Sequence, residues 1–397
     1  MTDSSALRVA VVGGSVAGLT TAIELRAAGC DVDVYERSAT EMKSRGGGIV
    51  LQQNLIDWFR ESLGFDIDDV STRTDYLRYF GRNEEILSNR PMVWRNTSWS
   101  TIYQRLLGVF GSERYHRGAS AVDIQQDGQS ASVTFADGSR VSADLVVFAD
   151  GIGSTGRARL SPQTQPKYAG YIGWRGTVPE AELTSRTVEL LRDSMSYFVG
   201  HSMHIILYPI PGLDGQLDVG KRLMNYVWYR NVPAGPEFTE MMTDRRGRPC
   251  QVSVPAGDVQ TRFIDELRRA APELLPGMAA EVVTKTAQPY IQVMQDIIVD
   301  QMAYGRAVLI GDAAMASRPH AAAWTAKAVS DSLALVEHLV KQDFDVTAAL
   351  EDWEPEQLEI GRNLFQRVQE MGTRSQFENT WVPGDPAFDF GLYGAGI

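Results

Sequence analysis

The segment spanning residues 8–37 constrains the fold of this chain more than any other. Its pattern predicts a buried strand over residues 9–12, a glycine-rich turn, a helix that stops at Gly29, and a second strand over residues 32–35. In such a unit, the glycines let the chain swing sharply from strand to helix, and the free N–H groups of the helix face the turn. A pyrophosphate fits there, so the segment predicts a dinucleotide site.

Individual positions support this prediction. Gly13, Gly14 and Gly18 form the turn, and Ser15 replaces the middle glycine of the fingerprint G-x-G-x-x-G. Glu36 ends the second strand about twenty residues beyond the turn, where a carboxylate accepts the hydroxyls of a ribose.

The same turn leaves two alternatives open. Its Gly-x-Ser-x-Ala stretch, centred on Ser15, is similar to the nucleophile elbow of hydrolases, which also joins a strand to a helix. Only one strand precedes it, and Glu36 would then have no role, so a serine hydrolase is the weaker reading. A strand-helix-strand unit without any phosphate ligand is the other alternative.

Composition limits the remaining classes of function. A length of 397 residues allows two domains, or one domain with an inserted lobe. The net charge of -12 argues against a nucleic-acid surface. The two cysteines, Cys30 and Cys250, have no metal-ligand or disulfide spacing, which predicts no metal site and favours a reducing cytoplasm. No signal peptide, membrane span or membrane association is expected, because no long apolar run occurs.

Two further strands are predicted to end in polar turns. The apolar run 144–149 leads into Asp150-Gly151, with Arg157 close enough in sequence to reach phosphate oxygens. The run 305–310 leads into Gly311-Asp312. The glycine run 46–48, after Arg45, indicates either close approach of a ligand or backbone, or a flexible loop.

The middle of the chain has a different pattern. Residues 168–178, 195–200, 204–209 and 223–231 are rich in aromatic and β-branched residues, which predicts an antiparallel sheet suited to a flat organic ligand. Long helices are predicted over residues 321–340 and 350–371. The tail, residues 381–397, is expected to cover the surface as irregular structure or to lie between subunits.

With these three strand ends in this order, the chain resembles the FAD-dependent aromatic hydroxylases, which are single-component flavoprotein monooxygenases. Four stretches, starting at Tyr171, His204, Arg318 and Pro383, are most similar to the dihydroxypyridine hydroxylases of that family. The resemblance implies an α/β fold with an FAD-binding Rossmann-like domain of the p-hydroxybenzoate hydroxylase type, over residues 1–75, 100–165 and 290–345. It further implies an inserted antiparallel-sheet substrate lobe, residues 76–99 and 166–289, and a C-terminal helix and tail, residues 346–397.

The resemblance also implies an activity. NADH or NADPH would reduce FAD, O2 would form a C4a-hydroperoxyflavin, and a hydroxylated N-heteroaromatic or phenolic ring would be hydroxylated. The expected partners are therefore a small aromatic substrate, O2 and NAD(P)H. A homodimer is the expected assembly. The implied cofactor-binding residues are Gly13, Gly14, Ser15, Gly18, Glu36, Arg37, Arg45, Asp150, Arg157, Gly311, Asp312, Ala322 and Trp324.

His204 and His320 are the candidate catalytic residues, because a neutral imidazole with a pKa of about 6.5 suits proton transfer from a ring hydroxyl. The alternative is that each is a structural histidine, in the core or at a helix start. The candidate substrate-binding residues are Tyr208, Tyr226, Trp228, Tyr229 and Pro319. Aromatic residues at alternating strand positions also suit plain core packing.

The chain departs from the family pattern in two places. After the Gly-Asp turn the family has P-x-x-G-x-G, whereas this chain has Ala322 and Trp324 in place of the glycines, and Tyr103 stands where many members carry an arginine that contacts FAD. Trp324 is expected to stack on the flavin ring or crowd it. This motivates a second hypothesis, a protein that binds flavin or aromatic ligands with impaired turnover.

Overall fold

A computed structural model of the chain describes residues 6–41, 47–385 and 390–394. In these ranges the strands are β1 (Arg8–Val12), β2 (Asp31–Glu36), β3 (Gly48–Leu51), β4 (Thr72–Phe80), β5 (Ile86–Ser98), β6 (Tyr115–Arg117), β7 (Ala121–Gln126), β8 (Ala131–Phe135), β9 (Arg140–Ala143), β10 (Leu145–Phe148), β11 (Lys167–Pro179), β12 (Ser194–Gly200), β13 (Met203–Ile210), β14 (Leu223–Asn231), β15 (Ser253–Val254), β16 (Tyr290–Ile298), β17 (Ala303–Tyr304), β18 (Ala307–Leu309) and β19 (Met315–Ala316).

The α-helices of the same ranges are α1 (Val16–Ala27), α2 (Gln53–Glu61), α3 (Trp99–Phe110), α4 (Thr155–Leu160), α5 (Ser185–Leu191), α6 (Pro236–Met241), α7 (Thr261–Leu274), α8 (Gly277–Lys285), α9 (Trp324–Lys341) and α10 (Val346–Thr373). A π-helical turn, Arg374–Glu378, follows α10. None of the helices in the described ranges combines the length and the apolar character that crossing a bilayer requires.

The first sheet has six strands in the order β17-β18-β10-β1-β2-β6, and all neighbours are parallel except the hairpin of β17 and β18. Every residue of β10 is buried, as is every residue of β18. Such continuous apolar strands are typical of a parallel sheet that is covered on both faces.

The carboxyl ends of β1, β10 and β18 lie side by side, because the three strands are adjacent and parallel. The N–H of Ala149 donates to the carbonyl of Val12 at 2.8 Å, and the N–H of Ile310 donates to the carbonyl of Phe148 at 3.0 Å. The three turns predicted from distant parts of the sequence therefore meet at one edge of the sheet.

The second sheet has the order β15-β16-β11-β14-β13-β12-β4-β5-β3, and β19 pairs with β16. Its pairs are antiparallel apart from β12 with β4. We call the face that carries Tyr171, His204 and Tyr229 the inner face; it packs on Leu364 and Val368 of α10. The outer face packs on α7 and α8. The predicted α/β fold with a second, antiparallel sheet is confirmed.

The C-terminal tail differs from its prediction. Trp381, Phe390 and Leu392 are buried in the inner-face core, and the ring of Phe390 lies 5.7 Å from that of Tyr197. The expected irregular structure is confirmed for the described residues of the tail. The expected surface or intersubunit position is wrong for these three residues, because the aromatic side chains of the inner face bury them. Residues 386–389 and 395–397 lie outside the described ranges.

Candidate active site

The first turn, between β1 and α1, accepts only glycine at two positions. Gly13 has a φ of +104°, and a Cβ there would lie 2.3 Å from the carbonyl oxygen of Ala149. A Cβ on Gly18 would lie 1.8 Å from the carbonyl oxygen of Gly13. The side chain of Ser15 does not cap α1, so the first N–H groups of that helix are available to a phosphate.

Glu36, at the end of β2, is buried beside this turn. One carboxylate oxygen accepts from the N–H of Gly14 at 2.9 Å, and the other accepts from the N–H of Ser38 at 2.8 Å. Since a carboxylate offers about four lone-pair positions, both oxygens can still accept from ribose hydroxyls. Arg37 is exposed next to the second turn, near Gly153. Arg45 lies outside the described residues.

The second turn is organised by Asp150 and Arg157. Asp150 accepts hydrogen bonds from the hydroxyl of Ser154 and, at 2.7 Å, from the N–H of Thr155. Burial raises the pKa of the Asp150 carboxyl, and these hydrogen bonds oppose that rise. The guanidinium of Arg157 donates to the carbonyls of Ile152 and, at 2.9 Å, Ala313. Arg157 therefore ties the second turn to the third, a role that the sequence did not predict.

The third turn contains Gly311 and Asp312. Gly311 has a φ of +56°, and its N–H donates to the carboxylate of Asp331 at 2.9 Å. Burial raises the pKa of the Asp312 carboxyl to about 6, and the nearby Arg157 opposes this. A carboxylate that has lost hydration gains from a hydroxyl donor, which fits the ribityl chain of FAD.

The loop before α9 contains both substituted glycine positions. Ala322 has a φ of +54°, in the left-handed region that favours glycine, and its carbonyl accepts from the side chain of Gln52 at 3.0 Å. Trp324 is the first residue of α9, and its indole N–H donates to the carbonyl of Arg318 at 3.2 Å. Trp324 is half-buried and packs against both the first-sheet core and the inner-face core. Its effect on the flavin stays a prediction.

Tyr103, at the other departure from the family pattern, reaches the first turn through a second tyrosine. Its ring stacks on Trp99 at 5.0 Å, and its hydroxyl lies 3.5 Å from that of Tyr115. Tyr115 in turn donates to the carbonyl of Gly14 at 2.8 Å. Tyr103 thus supports the turn instead of presenting a cation to it.

The two candidate catalytic histidines lie together on the inner-face side of the second sheet, with ring centroids 5.0 Å apart. Nδ1 of His204 is 2.9 Å from the side-chain nitrogen of Gln376, and Nε2 of His320 is 2.7 Å from the hydroxyl of Tyr171. The second nitrogen of each ring is buried without a hydrogen-bond partner in the described structure. Each ring therefore keeps one nitrogen that can bond to a further polar group.

The expected histidine pKa of about 6.5 is wrong for this pair. Burial lowers the pKa of His204 to about 3. Burial also lowers the pKa of His320 well below its usual value, and His204 and the Arg318 guanidinium lower it further. Both rings are neutral at pH 7, so they can form and relay hydrogen bonds but do not hold a positive charge.

The four aromatic residues predicted to bind substrate lie on two different faces. The ring of Tyr229 lies 4.4 Å from that of His204, and Tyr208 shares this inner face. Tyr226 and Trp228 belong to the outer-face core, because successive side chains of β14 point to opposite sides. These two therefore lie away from the histidines. Pro319 opens the short helical turn that carries His320.

Several polar residues of the inner face were missed by the sequence analysis. Tyr171 and Arg175 are on β11. They are an even number of residues apart, which places both side chains on one face of a strand, and this spacing could have indicated them. Gln376 is in the π-helical turn after α10, where no sequence pattern marked it. Arg318 pairs with Asp296 at 2.9 Å and lies against the ring of Tyr171.

The serine-hydrolase alternative lacks its general base. The partners of His204 and His320 are Gln376 and Tyr171, and no histidine in the described ranges is hydrogen-bonded to Ser15. By contrast, the uncapped helix, the glycine contacts, Glu36 and Asp312 all fit FAD.

Comparison with known proteins agrees with this geometry. A family described as FAD binding domain-like matches residues 168–296. A 2,6-dihydroxypyridine 3-monooxygenase of Paenarthrobacter nicotinovorans is 38% identical over 97% of this chain and 96% of its own length. A FAD-dependent urate hydroxylase of Klebsiella pneumoniae is 25% identical over 94% of this chain and 93% of its own.

The solved structure of 2,6-dihydroxypyridine-3-hydroxylase from Arthrobacter nicotinovorans has a TM-score of 0.92 and 37% identity, covering 98% of this chain and 97% of that one. Identity at this level over almost the whole of both chains extends beyond a shared fold. This chain belongs to the FAD-dependent aromatic hydroxylases, the family of single-component flavoprotein monooxygenases.

Proposed function

We propose that this monooxygenase hydroxylates a hydroxylated N-heteroaromatic ring, with 2,6-dihydroxypyridine as the first substrate to test and a phenol as the alternative. The observation that carries the proposal is the 38% identity, over nearly the full chain, to a relative named for that reaction. The neutral polar groups of the inner face support it, because a ring with nitrogen and hydroxyl groups can bond to both histidines.

The three turns would hold the cofactor by distinct contacts. The first turn and the N-terminus of α1 would bind the pyrophosphate, Glu36 the ribose, and Asp312 the ribityl chain. When bound, FAD supplies hydride acceptance from NAD(P)H and the activation of O2. In the overall reaction NAD(P)H gives two electrons, one oxygen atom enters the ring as a hydroxyl, and the other leaves as water.

The inner face would orient the ring and exclude water. His204 and His320 are both completely buried, so hydrogen bonds made there face little competition from solvent. The unpartnered nitrogens, Nε2 of His204 and Nδ1 of His320, would bond to the hydroxyls or nitrogen of the ring. Gln376 and Tyr171 would keep the two imidazoles in place through their hydrogen bonds.

The test is reconstitution with FAD, followed by a visible absorption spectrum and by NAD(P)H oxidation and O2 uptake across a panel of hydroxypyridines and phenols. We expect a yellow protein whose O2 uptake is stimulated most by a dihydroxypyridine. A protein that takes up no FAD, or whose NAD(P)H oxidation no ring stimulates, contradicts the proposal.

The hypothesis of a flavin-binding protein with impaired turnover is the second candidate, favoured by the position of Trp324 at the start of α9. Under it, Trp324→Gly increases flavin occupancy and creates substrate-dependent O2 uptake that the original chain lacks. If the original chain already couples NAD(P)H oxidation to hydroxylation, this candidate fails.

Three further predictions belong to the proposal. A reducing cytoplasm is supported by the free thiols of Cys30 and Cys250. A homodimer is supported by exposed apolar side chains on β5, of which Ile86 and Val93 are more than half exposed, and light scattering tests it. The predicted domain division is supported by the two separate sheets, although two strands assigned to the FAD-binding domain belong to the second sheet: β3, at residues 48–51, pairs with β5, and β16, at residues 290–298, pairs with β11.

A further inference from the structure

The proposed reaction raises a problem of charge on the inner face. A ring whose hydroxyl is ionised is a stronger nucleophile than the neutral ring, so the site gains from binding the anion. His204 and His320 are neutral and cannot balance that charge. A cation on the same face would balance it, and among the described residues Arg175 is on that face without a carboxylate partner.

We propose that Arg175 binds the ionised oxygen of the aromatic substrate and makes the enzyme select the anionic form of the ring. This inference rests on the proposed function, since it names the form of the substrate that the same site takes.

The hydrogen bonds of Arg175 leave part of its guanidinium free. Arg175 lies on β11, opposite Tyr290 of β16 and Val227 of β14. Its Nη1 donates to the side-chain oxygen of Gln292 at 2.6 Å, whereas its Nε is buried and has no partner in the described part of the chain. The hydroxyl of Tyr290, also buried, likewise lacks one there. One nitrogen of the cation and the hydroxyl of the neighbouring Tyr290 are thus both unused.

The charge of Arg175 is also uncompensated. Two buried arginines are, by contrast, paired with carboxylates: Arg318 with Asp296 at 2.9 Å, and Arg222 with Glu180 at 2.7 Å. No carboxylate of the described ranges forms an ion pair with Arg175, and the ionisable groups that act on its charge are tyrosines, Tyr290, Tyr208 and Tyr229. An enclosed charge without a counter-ion is unfavourable, so an anionic ligand would stabilise it.

The surroundings of Arg175 connect it to the histidines. Tyr229 is opposite Gly173 on β11 and opposite His204 on β13, so it lies between the cation and the histidine on one face. A Cβ on Gly47 would lie 2.4 Å from Nη2 of Arg175. The backbone at Gly47 therefore lies directly over the guanidinium.

A planar oxyanion could come from the substrate or from the reduced flavin, and the experiment separates the two sources. Full-length, FAD-loaded protein is compared with Arg175→Met and Arg175→Gln. Arg230→Met is the matched control, because Arg230 lies on the neighbouring strand, on the outer face, against Trp228. Binding of 2,6-dihydroxypyridine and of 2,6-dimethoxypyridine, which has no ionisable hydroxyl, is followed by the flavin absorption.

We expect both Arg175 variants to bind 2,6-dihydroxypyridine at least about tenfold more weakly, while their affinities for FAD and dimethoxypyridine change by less than about twofold. The pH at which the bound dihydroxypyridine ionises, read from its ultraviolet absorption, should rise by about one unit or more in Arg175→Gln. Because Gln keeps a hydrogen-bond donor, this readout serves even if Arg175→Met does not fold. Arg230→Met should match the original protein.

Unchanged dihydroxypyridine affinity in the variants overturns the inference, and so does a selective loss of FAD affinity, which would assign Arg175 to the flavin. Failure of the proposed function gives a different result. In that case the original protein hydroxylates no ring of the panel, yet its binding of dihydroxypyridine still depends on Arg175.

Discussion

The carboxyl edge of the six-stranded sheet and the inner face of the ten-stranded sheet are built in different ways. At the edge, each turn is made by a short run of neighbouring residues, such as Gly13 to Gly18, and the free backbone N–H groups at the start of α1 are in position to bind a phosphate. On the inner face, side chains from remote parts of the chain meet: His204 bonds to Gln376, 172 residues away. The proposed cofactor site is therefore encoded locally, and the proposed ring site depends on how the whole chain packs.

The largest expected effect comes from a substitution in the first turn, at Gly13. Gly13→Ala places a Cβ 2.3 Å from the carbonyl oxygen of Ala149 at a φ of +104°, and we expect FAD affinity to fall by about 100-fold or more. Gly29→Ala is the matched control, because Gly29 has a φ of +91° but open space around it. It should lose about 1–2 kcal/mol of stability and keep its FAD. Titration of each variant apoprotein with FAD measures its FAD affinity. Equal FAD affinities in the two variants would show that the turn does not hold the cofactor.

The next effect separates the inner face from the edge. His204→Leu should lower the rate of hydroxylation by about 100-fold or more, since it removes the imidazole nitrogen that would bond to the substrate ring. The FAD affinity should stay unchanged. Met203→Leu, next to it but on the outer face, should keep activity within about twofold. Product formation by chromatography, measured against NAD(P)H consumed, gives the rates. Loss of FAD from His204→Leu would contradict the independence of the two regions.

A third prediction uses the Asp312 carboxyl, whose pKa burial raises from 3.8 to about 6. The folded apoprotein binds a proton more tightly than the unfolded chain, so its free energy of unfolding falls as pH rises between about 4 and 6. Asp312→Asn removes this loss, and above pH 6 the variant apoprotein should be more stable by up to about 3 kcal/mol. Its affinity for FAD should fall, because the ribityl acceptor is changed.

Urea denaturation of both apoproteins at several pH values measures this effect, with exposed Asp300→Asn as the control. If the stability difference between Asp312→Asn and the original protein is the same at pH 4 and pH 7.5, the account of Asp312 is wrong.

The smallest effect concerns the loop that joins the two regions. Ala322 has a φ of +54°, so Ala322→Gly should relieve strain and raise stability by about 0.5 kcal/mol despite the more flexible unfolded chain. Ala323→Gly has no such strain to relieve, since its φ is -124°, and should lower stability by about 1 kcal/mol. Thermal unfolding of the two variants tests the contrast, and a shift of the same sign in both would refute it.

The contrast between the regions also explains what the sequence could predict. The three turns could be found because glycines and acids follow apolar strands within a few residues, and parallel strands bring their ends together. The sequence analysis grouped Tyr226 and Trp228 with Tyr229. Which face of a strand lies toward a ligand depends on the elements that pack against that strand, and the strand's own sequence does not show them. No sequence pattern marked Gln376, since its contact with His204 forms only where the turn after α10 packs against β13. The low pKa of His204 follows from complete burial, which the tail residue Trp381 helps to create.

The measurement that tests the central claim most directly is the fate of labelled oxygen. FAD-loaded protein is given 2,6-dihydroxypyridine, NAD(P)H and ¹⁸O2, and the product is analysed by mass spectrometry. We predict one ¹⁸O atom in each molecule of hydroxylated ring. NAD(P)H oxidation without ¹⁸O in any ring of the hydroxypyridine and phenol panel would contradict the account.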